Sequence, residues 1–192
     1  MADSLASAAR ATAALGADRR RLVAVDGIDG AGKSTFADAL PRLLERPVVR
    51  ASVDDFHNPR AVRYRRGRES PEGYYLDSFD LAALTSLLLE PFAGGESFCR
   101  RAFEYREDGP VSAAWEDAPG DAILVLDGLF LHRSELRDWW DLSIWLDVSP
   151  NAAAERLLIR DGQPTRDRYV GGNELYIAEA CPADNASLVL PW

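Results

Sequence analysis

Between Leu22 and Leu44 three patterns follow one another without a gap, and together they leave few folds open. Leu22-Val23-Ala24-Val25-Asp26 is a short β-branched apolar run, as expected of a strand buried on both faces. Gly27-Ile28-Asp29-Gly30-Ala31-Gly32-Lys33-Ser34-Thr35 follows it and fits G-x-x-x-x-G-K-[ST]. Phe36, Ala37, Ala39, Leu40, Leu43 and Leu44 then recur at helical spacing, with Pro41 placed to kink or stop the helix early. Glycines let successive backbone N–H groups turn inward around an anion without Cβ clashes. The helix that starts there adds its positive end, Lys33 a full charge, and the Ser34 hydroxyl a hard oxygen for Mg²⁺. Gly27, Asp29, Gly30, Ala31, Gly32, Lys33, Ser34 and Thr35 are therefore the candidate nucleotide-phosphate set.

Among 22 basic residues Lys33 is the one lysine. The Asn-Lys-x-Asp guanine motif of GTPase switches needs a second and cannot be assembled. Gly30 gives the loop a G-x-x-G-x-G-K form that leans toward small-molecule kinases.

The remaining chain repeats the strand–helix alternation. Residues 48–53, 122–126, 142–148 and 187–190 read as strands; 4–15, 149–160 and 169–180 read as helices, with Ser149-Pro150 as a helix start. Such alternation predicts an α/β fold with a parallel sheet covered on both faces. Residues 58–75 read as a long loop, and Asp77 or Ser78 as the cap of a helix carrying Leu81, Leu84, Leu87 and Leu88. Residues 98–105 look strand-like, before a turn at Asp108-Gly109-Pro110. The 192 residues suit one domain, an N-terminal helix within 1–20 and a core from 21 to 192.

Composition excludes several partner classes. A net charge of −9 disfavours a dedicated nucleic-acid binder, which needs a basic surface. No apolar run approaches the ~18 residues of a membrane span, and the N-terminus does not read as a signal peptide. Cys99 and Cys181 make neither a disulfide framework nor a metal spacing, which suits the cytoplasm.

Three constellations could serve the phosphate loop. Ser52-Val53-Asp54-Asp55-Phe56-His57 ends the second strand, where the ends of a doubly wound sheet converge on a ligand crevice. A carboxylate there can take the proton of an attacking hydroxyl or hold Mg²⁺ through water; a solvated turn is the alternative. Asp127-Gly128 closes the 122–126 strand and suits a metal-side carboxylate. Arg156, Arg160, Arg166 and Arg168 lie where a mobile segment could close over a nucleotide, Arg160 foremost; solvated helix-face charge paired with Asp161 and Asp167 is the alternative. Arg60, Arg63, Arg65, Arg66 and Arg68 form the densest basic patch, the place to look for a phosphate partner if the acceptor is already phosphorylated. His132 and Trp139, Trp140 and Trp145 read as structural.

In order and spacing, five segments together resemble the uridine kinase/phosphoribulokinase family of P-loop kinases. They are residues 27–35; Ser52-Val53-Asp54-Asp55-Phe56; Ser70-Pro71-Glu72-Gly73-Tyr74-Tyr75-Leu76-Asp77-Ser78-Phe79-Asp80-Leu81; Leu126-Asp127-Gly128; and Arg156-x-x-x-Arg160-Asp161. The resemblance runs from about Leu22 to Leu190. It implies a P-loop three-layer α/β/α fold with a five-stranded parallel sheet and a helical lid. It also implies ATP and Mg²⁺ as cofactors, and phosphoryl transfer to a primary hydroxyl such as a nucleoside 5′-OH of uridine or cytidine. By position, Lys33, Asp54 and Arg160 would be catalytic. Ser34, Asp54 and Asp127 would hold the metal, and Arg156 and Arg160 would form the lid. Asp54, Phe56, Tyr75, Asp80, Phe103 and Tyr105 would meet the acceptor, Asp80 on its sugar hydroxyls. The implied partner is a small molecule, not nucleic acid or membrane; a homo-oligomer is compatible with it. The chain departs from the family at Phe103-Glu104-Tyr105, where a Tyr-Asp pair followed by His is usual, and at His57, where Tyr is frequent. Such hydrogen-bonding groups discriminate one base from another. A pantothenate-type or sugar-phosphate acceptor, or a non-catalytic nucleotide-binding regulator, is the alternative.

Overall fold

The computed structural model describes residues 2–112 and 114–192. Five parallel strands, β1 (Arg21–Asp26), β2 (Val48–Ser52), β3 (Ile123–Asp127), β4 (Leu142–Asp147) and β5 (Leu188–Pro191), form one sheet in the order β2-β3-β1-β4-β5. α1 (Ala2–Ala13) packs against β4 and β5, and the helices that bear on the crevice are α2 (Lys33–Ala39), α3 (Pro71–Asp77), α4 (Pro150–Asp161) and α5 (Asp167–Ala180). Side chains alternate across the sheet, so the central strands β1 and β3 feed two cores. Leu22, Ala24, Leu124 and Leu126 pack with Tyr74, Tyr75, Phe92 and Tyr176 on one face. Val23, Val25, Ile123 and Val125 pack with Ala8, Phe36, Ala37 and Ala153 on the other. Period-two burial on both faces is why these strands read as unbroken apolar runs.

Register levels the carboxyl ends of the three strands that carry the motifs. Ser52 of β2 and Val25 of β1 both pair with Asp127 of β3. Asp26 turns inward instead: its Oδ1 accepts from the Gly27 amide at 2.7 Å and its Oδ2 from the Leu131 amide at 2.9 Å. His132 Nδ1 lies 2.8 Å from the same Oδ2, and the Tyr176 hydroxyl donates to it. This buried cluster ties the phosphate loop to α5 and leaves His132 structural.

Capping chemistry explains where the sequence reading fails. Residues 58–75 are not a continuous loop but contain a turn of helix at Arg60–Arg63 and then α3. Ser70 Oγ accepts from the Gly73 amide at 3.0 Å with Pro71 in the first turn, the same device by which Ser149 and Pro150 start α4. Asp80, not Asp77 or Ser78, caps the next helix, accepting from the Ala83 amide at 2.9 Å. Asp77 is buried and accepts from Arg65 and Arg66, while Arg63 pairs with Asp108 at 3.0 Å. Burial alone would raise the Asp77 carboxyl, but the two guanidinium groups outweigh it and hold the group below the usual range. With Arg60, which also meets Asp108, four arginines of the basic patch are thus engaged by acids of the fold. Residues 98–105 split into two short strands, Phe98–Cys99 pairing with Trp115–Glu116 and Phe103–Glu104 with Gly109–Pro110. Pro41 acts as expected: α2 stops at Ala39, and Leu40–Leu43 tightens to a 3₁₀ turn.

Candidate active site

The loop between β1 and α2 takes its shape from two glycines in the left-handed region, Gly30 at φ 78° and Gly32 at φ 88°. Gly30 is also crowded. A Cβ there would lie 2.5 Å from the Ala153 carbonyl oxygen and 2.9 Å from Leu157 Cγ, both on α4. Gly30→Ala is therefore expected to destabilise the fold by more than about 1 kcal/mol, read as a lowered thermal midpoint, and to weaken nucleotide binding with it. Lys33 Nζ donates to the Gly27 and Ile28 carbonyls at 2.9 Å each, which curls the ammonium over the loop. One residue on, Ser34 Oγ donates to Asp127 Oδ2 at 2.6 Å. Asp127 is buried, and its other oxygen accepts from Arg50 Nη2 at 2.8 Å.

Above the sheet ends lies one crevice in two halves. The half over the loop encloses about 460 Å³ and is bordered by Lys33, Ser34, Thr35, Asp127 and Arg156. The other encloses about 550 Å³ between His57, Tyr74, Phe79, Tyr105, Arg166 and Tyr169. Asp29, Asp54, Leu129, Leu157 and Arg160 border both. Any group passed from one half to the other must pass these five residues.

Asp54 sits there because Ser52 Oγ accepts from its amide and turns the chain into a short 3₁₀ segment, Val53–Phe56, directly after β2. Its carboxylate meets solvent through the open crevice but is crowded by the walls. That crowding raises its pKa above the ordinary aspartate value; His57 and Lys33 pull it back, and Asp127 and Asp29 push it up again. His57 Nδ1 lies 2.7 Å from the Asp54 carbonyl oxygen, and burial lowers the imidazole pKa. His57 packs between Phe79 and Tyr105, ring centroids 4.7 Å away on each side, so the second half has an aromatic wall. Asp29 is held from two helices, by the Tyr74 hydroxyl at 2.8 Å and Asn173 Nδ2 at 2.9 Å. Burial first, and then Asp29, keeps the Tyr74 phenol protonated far above its usual range.

The helix α4 presents Arg156 and Arg160, one turn apart, toward the loop. Arg156 donates to the Ala31 carbonyl at 3.1 Å and to the Trp192 carbonyl at 3.0 Å, whereas Arg160 pairs with Asp161 at 2.6 Å. Arg166 borders the second half and pairs with Glu69 at 2.6 Å. Arg168 is buried, donates to the Arg68 carbonyl at 2.7 Å and stacks among Tyr64, Tyr74 and Tyr169, which makes it a structural residue.

Four residues expected to meet the acceptor stand elsewhere. Phe56 is fully buried in the core, and Phe103 is buried in its hairpin. Tyr75 faces Phe130 and Tyr176 on the core side of α3. Asp80 is the helix cap already described, with Oδ1 on the Ala83 amide, and it does not border either half of the crevice. Tyr74, Phe79, Leu129 and Tyr169 border the crevice without having been singled out. The signal for Tyr74 was available: Ser70-Pro71 starts a helix, and successive residues of a helix point about 100° apart.

The oxygen-only set of Ser34 and Asp127, with Asp54 close by, fits a hard divalent cation such as Mg²⁺. Among the described residues no cluster of three or more His, Cys, Asp or Glu could hold a metal by itself. A cation here would therefore complete its shell with phosphate and water. Strand, glycine-rich loop and helix, with carboxylates at the adjoining strand ends, define a P-loop α/β protein. The sequence profile of the Phosphoribulokinase / Uridine kinase family matches residues 22–170, and the chain belongs to that family of kinases. Thymidylate kinase of Xanthomonas campestris pv. campestris (strain B100) is 29% identical over 178 residues, covering 88% of this chain and 72% of that protein. A solved structure described as a possible uridine kinase from Bacillus stearothermophilus superposes with a TM-score of 0.80 at 24% identity, covering 98% of this chain and 97% of that one. A proposed fructose transport system kinase from Silicibacter sp. TM1040 gives a TM-score of 0.72 at 24% identity, covering 97% and 98%. At such identities the two structures show a common fold. Among the described residues no helix is long and apolar enough to cross a membrane.

Proposed function

We propose that this protein transfers the γ-phosphoryl group of ATP to the primary hydroxyl of a nucleoside-like small molecule. The observation that carries this reading is the position of Asp54 on the shared floor of both half-crevices. Lys33 and the loop amides hold the phosphates, and Arg160 is free to leave exposed Asp161 and neutralise charge on the group in transit. Asp54 accepts the proton of the acceptor hydroxyl and aims its oxygen at the phosphorus. Bound between Ser34, Asp127 and the phosphates, Mg²⁺ would supply charge stabilisation on the phosphate oxygens. The aromatic wall of Phe79, His57 and Tyr105 suits a flat base. Arg166 at the same half-crevice favours a second reading, a sugar-phosphate acceptor.

ADP release from ATP and Mg²⁺ is the test, run with uridine, cytidine, pantothenate and pentose phosphates in turn. ADP that depends on a nucleoside is the expected result. ADP dependent on a pentose phosphate moves the assignment to the second reading. Nucleotide binding without turnover for any acceptor leaves a regulator.

A further inference from the structure

Arg50 interrupts the otherwise small and apolar start of β2, an edge strand of the sheet. Its guanidinium is mostly covered, and nearly every donor has a partner. Nη2 reaches Asp127 Oδ1 at 2.8 Å and Asp38 Oδ1 at 3.0 Å, while Nη1 donates to the Ala51 and Val125 carbonyls. Asp38 lies one turn beyond Ser34 on α2, hence on the same face. The contacts therefore close a ring: Ser34 to Asp127, Asp127 to Arg50, Arg50 to Asp38, and back along α2 to Ser34. A carboxylate gripped at both oxygens has one orientation, and one joined to a guanidinium carries less net charge toward the crevice.

We propose that Arg50 is a positioning residue for the divalent cation: it fixes the Ser34–Asp127 pair and offsets part of the Asp127 charge. This rests on the kinase reading above. An arginine suits the task because its planar fork can reach two carboxylates and two carbonyls at once, which a lysine ammonium cannot. The consequence is unusual for a site residue. Removing Arg50 leaves Asp127 more negative yet free to rotate, so the cation is held more tightly while the reaction slows.

The test compares wild type, Arg50→Met, Arg50→Gln and Arg50→Lys. Mn²⁺ is titrated into each with a non-hydrolysable ATP analogue, free Mn²⁺ being read by electron paramagnetic resonance. Turnover is measured as ADP release with whichever of uridine, cytidine, pantothenate or a pentose phosphate supports it in wild type, and thermal midpoints establish folding. Arg50→Met is expected to bind Mn²⁺ about fivefold more tightly, the effect of one charge a few ångströms away near water. Its kcat should fall by roughly 10- to 100-fold, the scale of a misplaced reacting group, at little change in acceptor KM. Arg50→Lys should keep near-normal Mn²⁺ affinity with intermediate kcat, and Arg50→Gln carries the comparison if the Met variant does not fold. Unchanged Mn²⁺ affinity in a folded Met or Gln variant overturns the proposal. So does a loss of affinity and turnover in step with the thermal midpoint, the mark of a merely structural residue. Wild type that turns over while the variants match it removes the Arg50 role alone; wild type without nucleotide-dependent Mn²⁺ binding removes the kinase reading and this role together.

Discussion

Asp54→Asn is expected to lower kcat by roughly 10²- to 10⁴-fold while nucleotide affinity changes little. The amide keeps the size and the polarity of the carboxylate but cannot accept the hydroxyl proton. Its place between the half-crevices means the effect falls on the reacting centre, whereas the loop over which the phosphates lie stays intact. Stability separates this from a folding defect. Crowding by the crevice walls raises the Asp54 carboxyl in the folded protein, so ionising it there is harder than in the unfolded chain. A raised carboxyl pKa means that the folded state binds the proton more strongly. The resulting destabilisation is absent below the ordinary aspartate pKa and fully present above the raised one. The uncharged amide of the variant carries no such penalty, so its thermal midpoint at neutral pH without ligand should equal or exceed that of wild type. Acceptor-dependent ADP release, calorimetric nucleotide titration and thermal melts check the three parts. A variant with undiminished kcat would falsify the base assignment.

Lys33→Ala is expected to weaken nucleotide binding by about 10- to 100-fold, the worth of a charge-assisted phosphate contact. Turnover should fall further, by roughly 10²- to 10³-fold, because the same ammonium meets charge that grows during transfer. Lys33→Arg is the sharper variant. This chain uses arginine for its other 21 basic positions, so composition imposes no bar to arginine at 33. The space does: the ammonium is curled between the Gly27 and Ile28 carbonyls at 2.9 Å, inside a loop shaped around a point charge. A planar guanidinium is broader and binds as a fork, so Lys33→Arg should remain inactive although the charge is kept. Activity close to wild type in either variant would remove the phosphate-loop assignment.

How far each region could be read tracks the range of the interactions that shape it. β1, the glycine loop and α2 were legible because every cue is local: a short apolar run, glycines at required dihedrals, helical spacing and one proline. Asp54 and Asp127 were legible as strand-end acids, since a parallel sheet gathers its carboxyl ends on one side. Residues 58–75 read as a loop because five arginines and a glycine mask two helical pieces: α3 has a local cue in Ser70-Pro71, whereas the turn at Arg60–Arg63 is tied to Asp108, up to 48 residues away. The helix cap falls at Asp80 and not at Asp77 or Ser78 because several capping residues precede this helix, and only the contact with the Ala83 amide decides among them.

The amino-acid sequence alone determined the fold class, the phosphate loop and the pair of acids beside it, since these follow from periodicity and from glycine and proline stereochemistry. Tertiary packing decided which of several like residues faces the crevice: Tyr74 rather than Tyr75, Arg160 rather than Arg168, Asp127 on Ser34 rather than Asp26. Those choices turn on a rotation of about 100° per helical residue or on contacts between groups far apart in the chain, and neither leaves a mark within a short stretch of sequence.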